Sequence, residues 1–423
     1  MRYISDLHTH SRFSRACSTA LNISTMEKWA KIKGVNMLGT SDFTHPEWIK
    51  ELKDHLVEDD SGILKTSSGF PFVLQTEISL IYTQANKGRR IHNVVLAPSF
   101  EIVDQITEFL KKHGRVDYDG RPIFKIPCND FVYELRRISY DIEVIPAHIW
   151  TPWFSLFGSK SGFDSLHECF KDQDQYIHAI ETGLSSDPSM NWRLSQLDRL
   201  NIVSFSDLHS FWPWRLGREA TIFELKELTY ENLLRALRSG EGLQGTIEVD
   251  PSYGKYHFDG HRNCNVVMTP KEALEHNNMC PKCKNELTLG VAHRVEELAD
   301  RKEGFKRQNA KPFHTMLPLS EILSTMLDKT ISAKIVWKEY NKLLRRFGSE
   351  YNILTDAPED KLKEEVHEKI AGAIIKNRVG ELKVEPGYDG VYGELVIEGI
   401  NEKEIEEEKK KPKPQQKGLS EFF

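Results

Sequence analysis

Seven short apolar runs in the first half of the chain each carry, or end on, a metal-ligating or polar side chain. Tyr3–His10 ends Asp6-Leu-His8-Thr-His10, and Asn36–Asp42 ends Thr40-Ser41-Asp42. Phe72–Glu77 ends on Glu77, Ile91–Ala97 opens with His92, and Glu143–His148 ends on His148. Ala179–Gly183 carries Glu181, and Asn201–His209 ends Asp207-Leu-His209. A barrel of parallel strands gathers its functional groups at the C-terminal strand ends. The pattern predicts a single site, rich in imidazole and carboxylate, assembled from most of the first half.

Helical segments with start and stop signals lie between the runs, and such alternation implies a parallel sheet or barrel. Ser24-Thr-Met-Glu27 reads as a capping box, with Gly34 ending the helix. Ser99 can cap a helix with Ile102, Ile106, Phe109 and Leu110 on its apolar face and Gly114 as its stop. Thr229 can cap Tyr230–Ser239, with Leu233, Leu234 and Leu237 inward and Gly240 at the end. The alternation covers residues 1–245. In 246–300 periodicity fades and His and Cys come in pairs. Residues 301–400 read as a mostly helical domain, amphipathic over Leu319–Leu327, Ala333–Arg346 and Glu359–Asn377, ending in the Gly-rich segment Glu385–Gly393. Residues 401–414 form a charged, Pro-containing linker too polar to fold, followed by a peptide at 415–423.

Of the 423 residues, 39% are hydrophobic and 28% charged, which excludes disordered and fibrous classes. No run is long enough to span a membrane, and the N-terminus lacks a signal-peptide pattern, so no membrane association and a cytoplasmic location are expected. Six cysteines are too few for a disulfide-stapled fold of this size, and Cys17, Cys264, Cys280 and Cys283 sit near other ligand types. A net charge of −6 argues against indiscriminate nucleic-acid binding, although a metal cluster or local basic patch can still hold phosphate.

Residues i and i+2 of an extended strand point to the same side, so His8 and His10 can reach one site, and Asp207 and His209 repeat that geometry. Together with Glu77, His92 and His148 they form a joint pattern far stronger than one His-x-His pair. The nitrogen-and-carboxylate mix suits zinc, manganese or iron. The ligands exceed the needs of one four-coordinate ion, so two or three neighbouring ions are expected, whose chemistry is phosphoester hydrolysis. Arg12, Arg15, Lys160, Arg215 and Arg218 are candidate phosphate donors. The loops Trp150–Phe154 and Phe211–Trp214 follow two ligand-bearing strands, either to stack on bases or to pack as a lid.

His261-Arg-Asn-Cys264 and Cys280-Pro-Lys-Cys283 have the spacing of a zinc ribbon, with His257 as a competitor for one place. Four protein ligands leave no open position, so this zinc is structural. At the chain end, Gln416, Leu419, Phe422 and Phe423 form a short hydrophobic plug that resembles the peptide that binds the replication sliding clamp (PCNA). Clamps with that pocket imply an archaeal or eukaryotic setting, and an archaeal source is expected.

Asp6-Leu-His-Thr-His10, Ser41-Asp42, Glu77, His92, His148 and Asp207-Leu-His209 together resemble the polymerase-and-histidinol-phosphatase (PHP) superfamily over about 240 residues. The resemblance implies an α/β fold, a distorted (β/α)7 barrel, here followed by the small zinc-binding domain and the helical domain. It also implies a multinuclear metal centre of two or three divalent ions (zinc, manganese or magnesium). By resemblance the ligands are His8, His10, Glu77, His92, His148, Asp207 and His209, with His8, His10, Glu77, His148 and Asp207 catalytic. Two positions depart from the family pattern: Cys17 stands where a further His is common, and Asp42-Phe43 replaces Asp-His. Asp42 or His45 is then the candidate for the remaining ligand. The barrel, zinc ribbon, helical domain and clamp-type tail resemble the endonuclease Q family over nearly the whole chain. That resemblance implies a DNA-repair endonuclease acting on damaged DNA, cutting 5′ of a deaminated base (uracil, hypoxanthine, xanthine) or an abasic site. The alternatives are a small-phosphomonoester phosphatase and a clamp-bound scaffold without activity.

Overall fold

A computed structural model describes residues 1–397. The charged linker 401–414 and the peptide 415–423, with Gln416, Leu419, Phe422 and Phe423, lie outside the described residues.

The strands in chain order are β1 (Arg2–Asp6), β2 (Met37–Gly39), β3 (Leu64–Lys65), β4 (Pro71–Gln84), β5 (Lys87–Ala97), β6 (Ile123–Phe124), β7 (Glu143–Pro146) and β8 (Ala179–Glu181). They continue with β9 (Asn201–Val203), β10 (Ala220–Glu224), β11 (Leu243–Glu248), β12 (Asp259–His261), β13 (Val266–Met268), β14 (Phe313–Thr315), β15 (Lys383–Glu385) and β16 (Glu394–Val396). The main sheet runs β14-β11-β10-β1-β2-β4-β5-β7, with β3 and β6 paired to β4. The parallel pair β8–β9 touches β7 on one side and β11 on the other, so the sheet curls toward a closed barrel.

The sheet is mixed where a purely parallel one is expected. β1–β2 and β2–β4 are parallel, but β4–β5, β5–β7, β1–β10 and β10–β11 are antiparallel. The reason is local. Ala85 and Asn86, both at positive φ (52° and 59°), form a two-residue turn that folds β4 directly back as β5. Turns with both central residues in the left-handed region match strand twist and favour hairpins over helical crossovers.

Helix boundaries follow the caps. Asn22, not Ser24, accepts from Thr25 N and starts Ile23–Lys33, which ends at Gly34 (φ 94°). Ser99 and Thr229 cap Phe100–Lys111 and Tyr230–Ser239 as expected. In the first of these Val103, Ile106 and Leu110 are the buried face. The expected helix Glu359–Asn377 divides into Glu359–Glu365 and Glu368–Arg378, where Val366 turns extended and His367 caps the second piece.

The boundary expected at 245 falls inside β11, whose partners are β10 and β14, the latter from the segment read as helical. One hydrophobic core runs from Met26 and Trp48 in the barrel to Val336, Tyr340 and Ile374 in the helical part. A buried ion pair fastens the same junction: Lys33 Nζ lies 2.6 Å from Glu350 Oε1 and donates to Pro213 O at 2.7 Å. Glu350 also accepts from Leu319 N (3.0 Å) and Tyr340 Oη (2.7 Å).

The Gly-rich segment 385–393 closes over the small His/Cys unit, with β15–β16 as its stem. Asp389 accepts from Arg262 N and Thr288 Oγ1, and Tyr388 covers Gly260, where a Cβ would come within 2.4 Å of the Tyr388 ring. A side chain at 260 would meet that ring and the Val266 carbonyl, so only glycine fits there.

Candidate metal centre

The segment after β1 pairs in parallel with residues 207–209: Thr9 bridges Leu208, His10 N donates to Leu208 O (3.2 Å), and Leu208 N donates to His8 O (3.4 Å). That register turns His8, His10, Asp207 and His209 to one side while Thr9 and Leu208 face away. On the hairpin, Ser79 opposes His92 and Glu77 opposes Val94, so Glu77 and His92 are diagonal neighbours on one face. His148 (φ 32°), Asp207 (φ 48°), Ser41 (φ 67°) and Asp42 (φ 22°) all sit at positive φ. For non-glycine residues this costs about 1–3 kcal/mol each and collects at functional sites.

Two groups of ligand atoms converge, each within 4.8 Å: His8, His10, Glu77 and Asp207, and Glu77, His92 and His148. Glu77 belongs to both. Its Oε1 lies 2.7 Å from His92 Nδ1 and 3.1 Å from His148 Nε2, while Oε2 lies 3.3 Å from His10 Nε2. His8 Nε2, His10 Nε2 and Asp207 Oδ1 are buried without a hydrogen-bond partner, although His10 Nε2 and Asp207 Oδ1 are only 3.0 Å apart. Unpaired imidazole nitrogens and carboxylate oxygens aimed at a common point are what a divalent cation requires, so the residues fit such ions. Among the described residues no third group forms in the barrel.

Carboxylates orient the histidines from behind. Glu181 takes His8 Nδ1 at 2.9 and 3.0 Å and accepts from His148 N at 2.7 Å. Asp42 holds His10 Nδ1 at 3.0 Å and accepts from Ser11 N, Ser11 Oγ and Ser14 Oγ. Such partners fix the tautomer and turn Nε2 toward the metal position. Burial opposes charge on His8, but the fields of Glu181, Glu77 and Asp207 outweigh it and carry its pKa well above the ordinary value. Burial also opposes the Glu77 carboxylate, and His92, Arg121 and His8 reverse that, holding its pKa well below the usual range. For His92 burial wins, and its pKa falls to about 4.

Of the expected ligands, His8, His10, Glu77, His92, His148 and Asp207 come together. His209 lies beside them, its ring 4.9 Å from that of His10 and its Nδ1 2.9 Å from Asp207 O, outside both groups. Asp42 sits one layer back, every contact spent on His10 and two serines. His45 stacks on Phe13 at 4.3 Å, and Cys17 joins neither group. Arg12 is bound to Glu51, Arg15 to Asp119, and Arg218 to Ser206 O. Trp150 is buried and donates to Asn191, so it packs the core. Trp212 stacks on Trp214 (5.1 Å, 5°) and both meet Trp337 of the helical part.

Sequence reasoning misses the role of one group and the whole of another. Glu181 ends its strand like a ligand but acts on His8 instead. Arg121, in the turn Asp119-Gly-Arg-Pro122, donates to Glu77 Oε2 at 3.0 Å, and nothing in its spacing signals this.

In the small unit, His261, Cys264, Cys280 and Cys283 converge within 4.8 Å, and His257 stays apart, its ring tilted against that of Phe258 at 4.9 Å. Burial raises the Cys280 thiol, but the amides of Cys283 and Lys282 outweigh it and bring its pKa to about 7, favouring the thiolate that zinc takes.

A curled α/β barrel that gathers imidazole and carboxylate from its strands and the loops after them, in this order, is of the PHP type. The crystal structure of the lesion-specific endonuclease PfuEndoQ from Pyrococcus furiosus superposes with a TM-score of 0.85 at 32% identity, covering 96% of this chain and 97% of that one. A complex of endonuclease Q with a 27-mer duplex carrying an abasic lesion gives 0.83 and 33%, covering 96% and 98%. The chain belongs to the endonuclease Q family. A family profile described as the MJ0043 C-terminal domain matches residues 318–381. The uncharacterized protein MJ0043 of Methanocaldococcus jannaschii is 31% identical over 67% of this chain, which spans only 35% of that longer protein.

Proposed function

We propose that this protein is a metal-dependent DNA-repair endonuclease that cuts the phosphodiester 5′ of a deaminated base (uracil, hypoxanthine or xanthine) or an abasic site. The observation that carries the reading is the convergence of unpartnered His8 Nε2, His10 Nε2 and Asp207 Oδ1 around the shared carboxylate of Glu77, in a chain of the endonuclease Q family. His8, His10, Glu77 and Asp207 would hold one divalent ion, and Glu77, His92 and His148 a second. Bound there, zinc, manganese or magnesium supplies Lewis-acid polarisation of the scissile phosphate and acidifies water at neutral pH. Glu77 spaces the two positions, Glu181 and Asp42 fix the imidazoles, and Arg121 keeps a positive charge against Glu77. The His261/Cys264/Cys280/Cys283 site would carry one structural zinc. Gln416, Leu419, Phe422 and Phe423 would anchor the sliding clamp, supported by their pattern alone.

Nicking of labelled duplexes carrying uracil, hypoxanthine, xanthine or an abasic site, with manganese or magnesium, tests the reading. The expected outcome is a single cut 5′ of the lesion, lost in His8→Ala and Asp207→Ala. Turnover of small phosphomonoesters with no cut on any DNA by metal-loaded protein would replace it with a phosphatase. Removal of residues 415–423 is expected to abolish clamp association and leave basal cleavage intact.

A further inference from the structure

The tip of the β4–β5 hairpin and the loop after His148 enclose a concavity of about 560 Å³ that shares no residue with the metal centre. Arg89 is three residues from His92 on one strand, so the pleat turns it to the opposite face. The lining carries Lys87, Arg89, Lys160 and Arg294 against Asp164 and Glu168. Arg294 is neutralised by Asp164 and Glu297. Arg89 is not neutralised. Only 8% exposed, it donates to Gly162 O and lies 4.0 Å from the centre of the Phe163 ring, its Nε has no hydrogen-bond partner, and no carboxylate pairs with it among the described residues. A buried guanidinium without a counter-charge is costly, and an anion from outside offsets that cost. Lys87 and Lys160, both exposed, likewise make no ion pair among the described residues.

The loop itself offers donors. Gly162 N donates to Gly158 O (2.8 Å) and Lys160 N to Pro152 O (3.0 Å), while the amides of Ser159 and Ser161 reach no acceptor among the described residues. The turn is fixed, since a Cβ on Gly158 would come within 2.5 Å of Thr151 O and one on Gly162 within 2.4 Å of Gly158 N. Free amides held in a fixed turn are donors that an anion can take. We propose that this concavity binds a phosphate group, neutralised by Arg89, Lys87 and Lys160 and hydrogen-bonded by the amides of Ser159 and Ser161. The loop is tied along β5 by His92 N to Phe154 O (3.1 Å) and Arg90 N to Ser161 O (3.4 Å). From His92 to Arg89 the strand advances about 10 Å, or about three nucleotide steps of one strand. A nucleic-acid backbone leaving the metal centre around the hairpin edge is therefore the favoured source, and free phosphate the other.

The test uses full-length, metal-loaded protein and a Lys87→Gln/Lys160→Gln variant, exposed positions whose replacement leaves the core intact. Calorimetry with inorganic phosphate is expected to show two classes of site, one of which the variant loses. Binding of undamaged duplex against salt is expected to fall in log–log slope by about 0.9, the value for the one phosphate the variant no longer neutralises. Loss in both arms assigns the site to the DNA backbone, and loss in the phosphate arm alone to free phosphate. Loss in the salt slope alone supports a backbone phosphate held only as part of the strand. Unchanged phosphate stoichiometry and unchanged slope together overturn the proposal. The DNA arm rests on the endonuclease reading and the phosphate arm does not, so failure of one is distinguishable from failure of the other.

Discussion

The Lys33–Glu350 pair gives the sharpest test of how the helical part is held to the barrel. Both side chains are buried, at 1% and 0% exposure. Glu350→Leu would leave the Lys33 ammonium with only the Pro213 carbonyl, and would strand Leu319 N–H and the Tyr340 hydroxyl. Breaking a buried pair from one side costs about 3–5 kcal/mol, and each stranded donor adds about 1–3 kcal/mol. The sum reaches the scale of a domain's whole stability, about 5–15 kcal/mol. Lys33→Met is milder, because the Glu350 carboxylate keeps two neutral donors, and about 3 kcal/mol is expected. The double variant Lys33→Met/Glu350→Leu has no buried charge left, so it should be more stable than Glu350→Leu alone by about 2 kcal/mol or more. Urea unfolding followed by tryptophan fluorescence reads this directly, since Trp212, Trp214 and Trp337 cluster around Pro213. Single variants costing under about 1 kcal/mol, as exposed pairs do, or a double variant equal to the sum of the singles, would refute the reasoning.

Glu181→Gln is expected to weaken metal binding about 10- to 100-fold by freeing His8 to turn, measured by chelator competition with the circular dichroism spectrum unchanged. Cys283→Ser should lower zinc content by one ion per chain in atomic absorption and raise amide exchange across 257–290 while the barrel stays protected. Glu248 is buried, and burial lifts its pKa from 4.5 to about 8 against the hydroxyls of Thr246, Thr182 and Ser204. The fold then holds a proton that the unfolded chain has released, so stability falls as pH rises between these values. Glu248→Gln should flatten that slope, and a wild-type stability constant from pH 5 to 8 would count against it.

What was legible in the sequence was whatever depends on period and spacing. His8-Thr-His10 and Asp207-Leu-His209 project to one side because a strand alternates, and the structure adds only that the two segments lie side by side in register through Thr9 and Leu208. The His261/Cys264 and Cys280/Cys283 pairs converge for the same reason: two tight turns are close neighbours in the chain. Strand direction was not legible. A two-residue turn at Ala85-Asn86 reverses β4 into β5, and alanine is no turn signal. The break of the expected helix at Val366 was hidden too, because both halves keep apolar residues inward.

The site divides where chemistry of one residue type serves two purposes. Asp42, Glu181, Glu77 and Asp207 are carboxylates closing apolar runs, indistinguishable by pattern, yet only Glu77 and Asp207 reach the point where imidazole nitrogens are left unpaired. The difference is depth. Asp42 and Glu181 meet the Nδ1 side of His10 and His8, whereas Glu77 and Asp207 meet the Nε2 side. An imidazole has two faces to its hydrogen bonding, and which carboxylate takes which nitrogen is set by barrel curvature, a property of packed strands that no single strand encodes. A carboxylate behind His8 therefore orients its ring, and one in front faces the point where the Nε2 atoms converge. The strain at Asp42, His148 and Asp207, each at positive φ, is the local cost of forcing both layers around the same histidines.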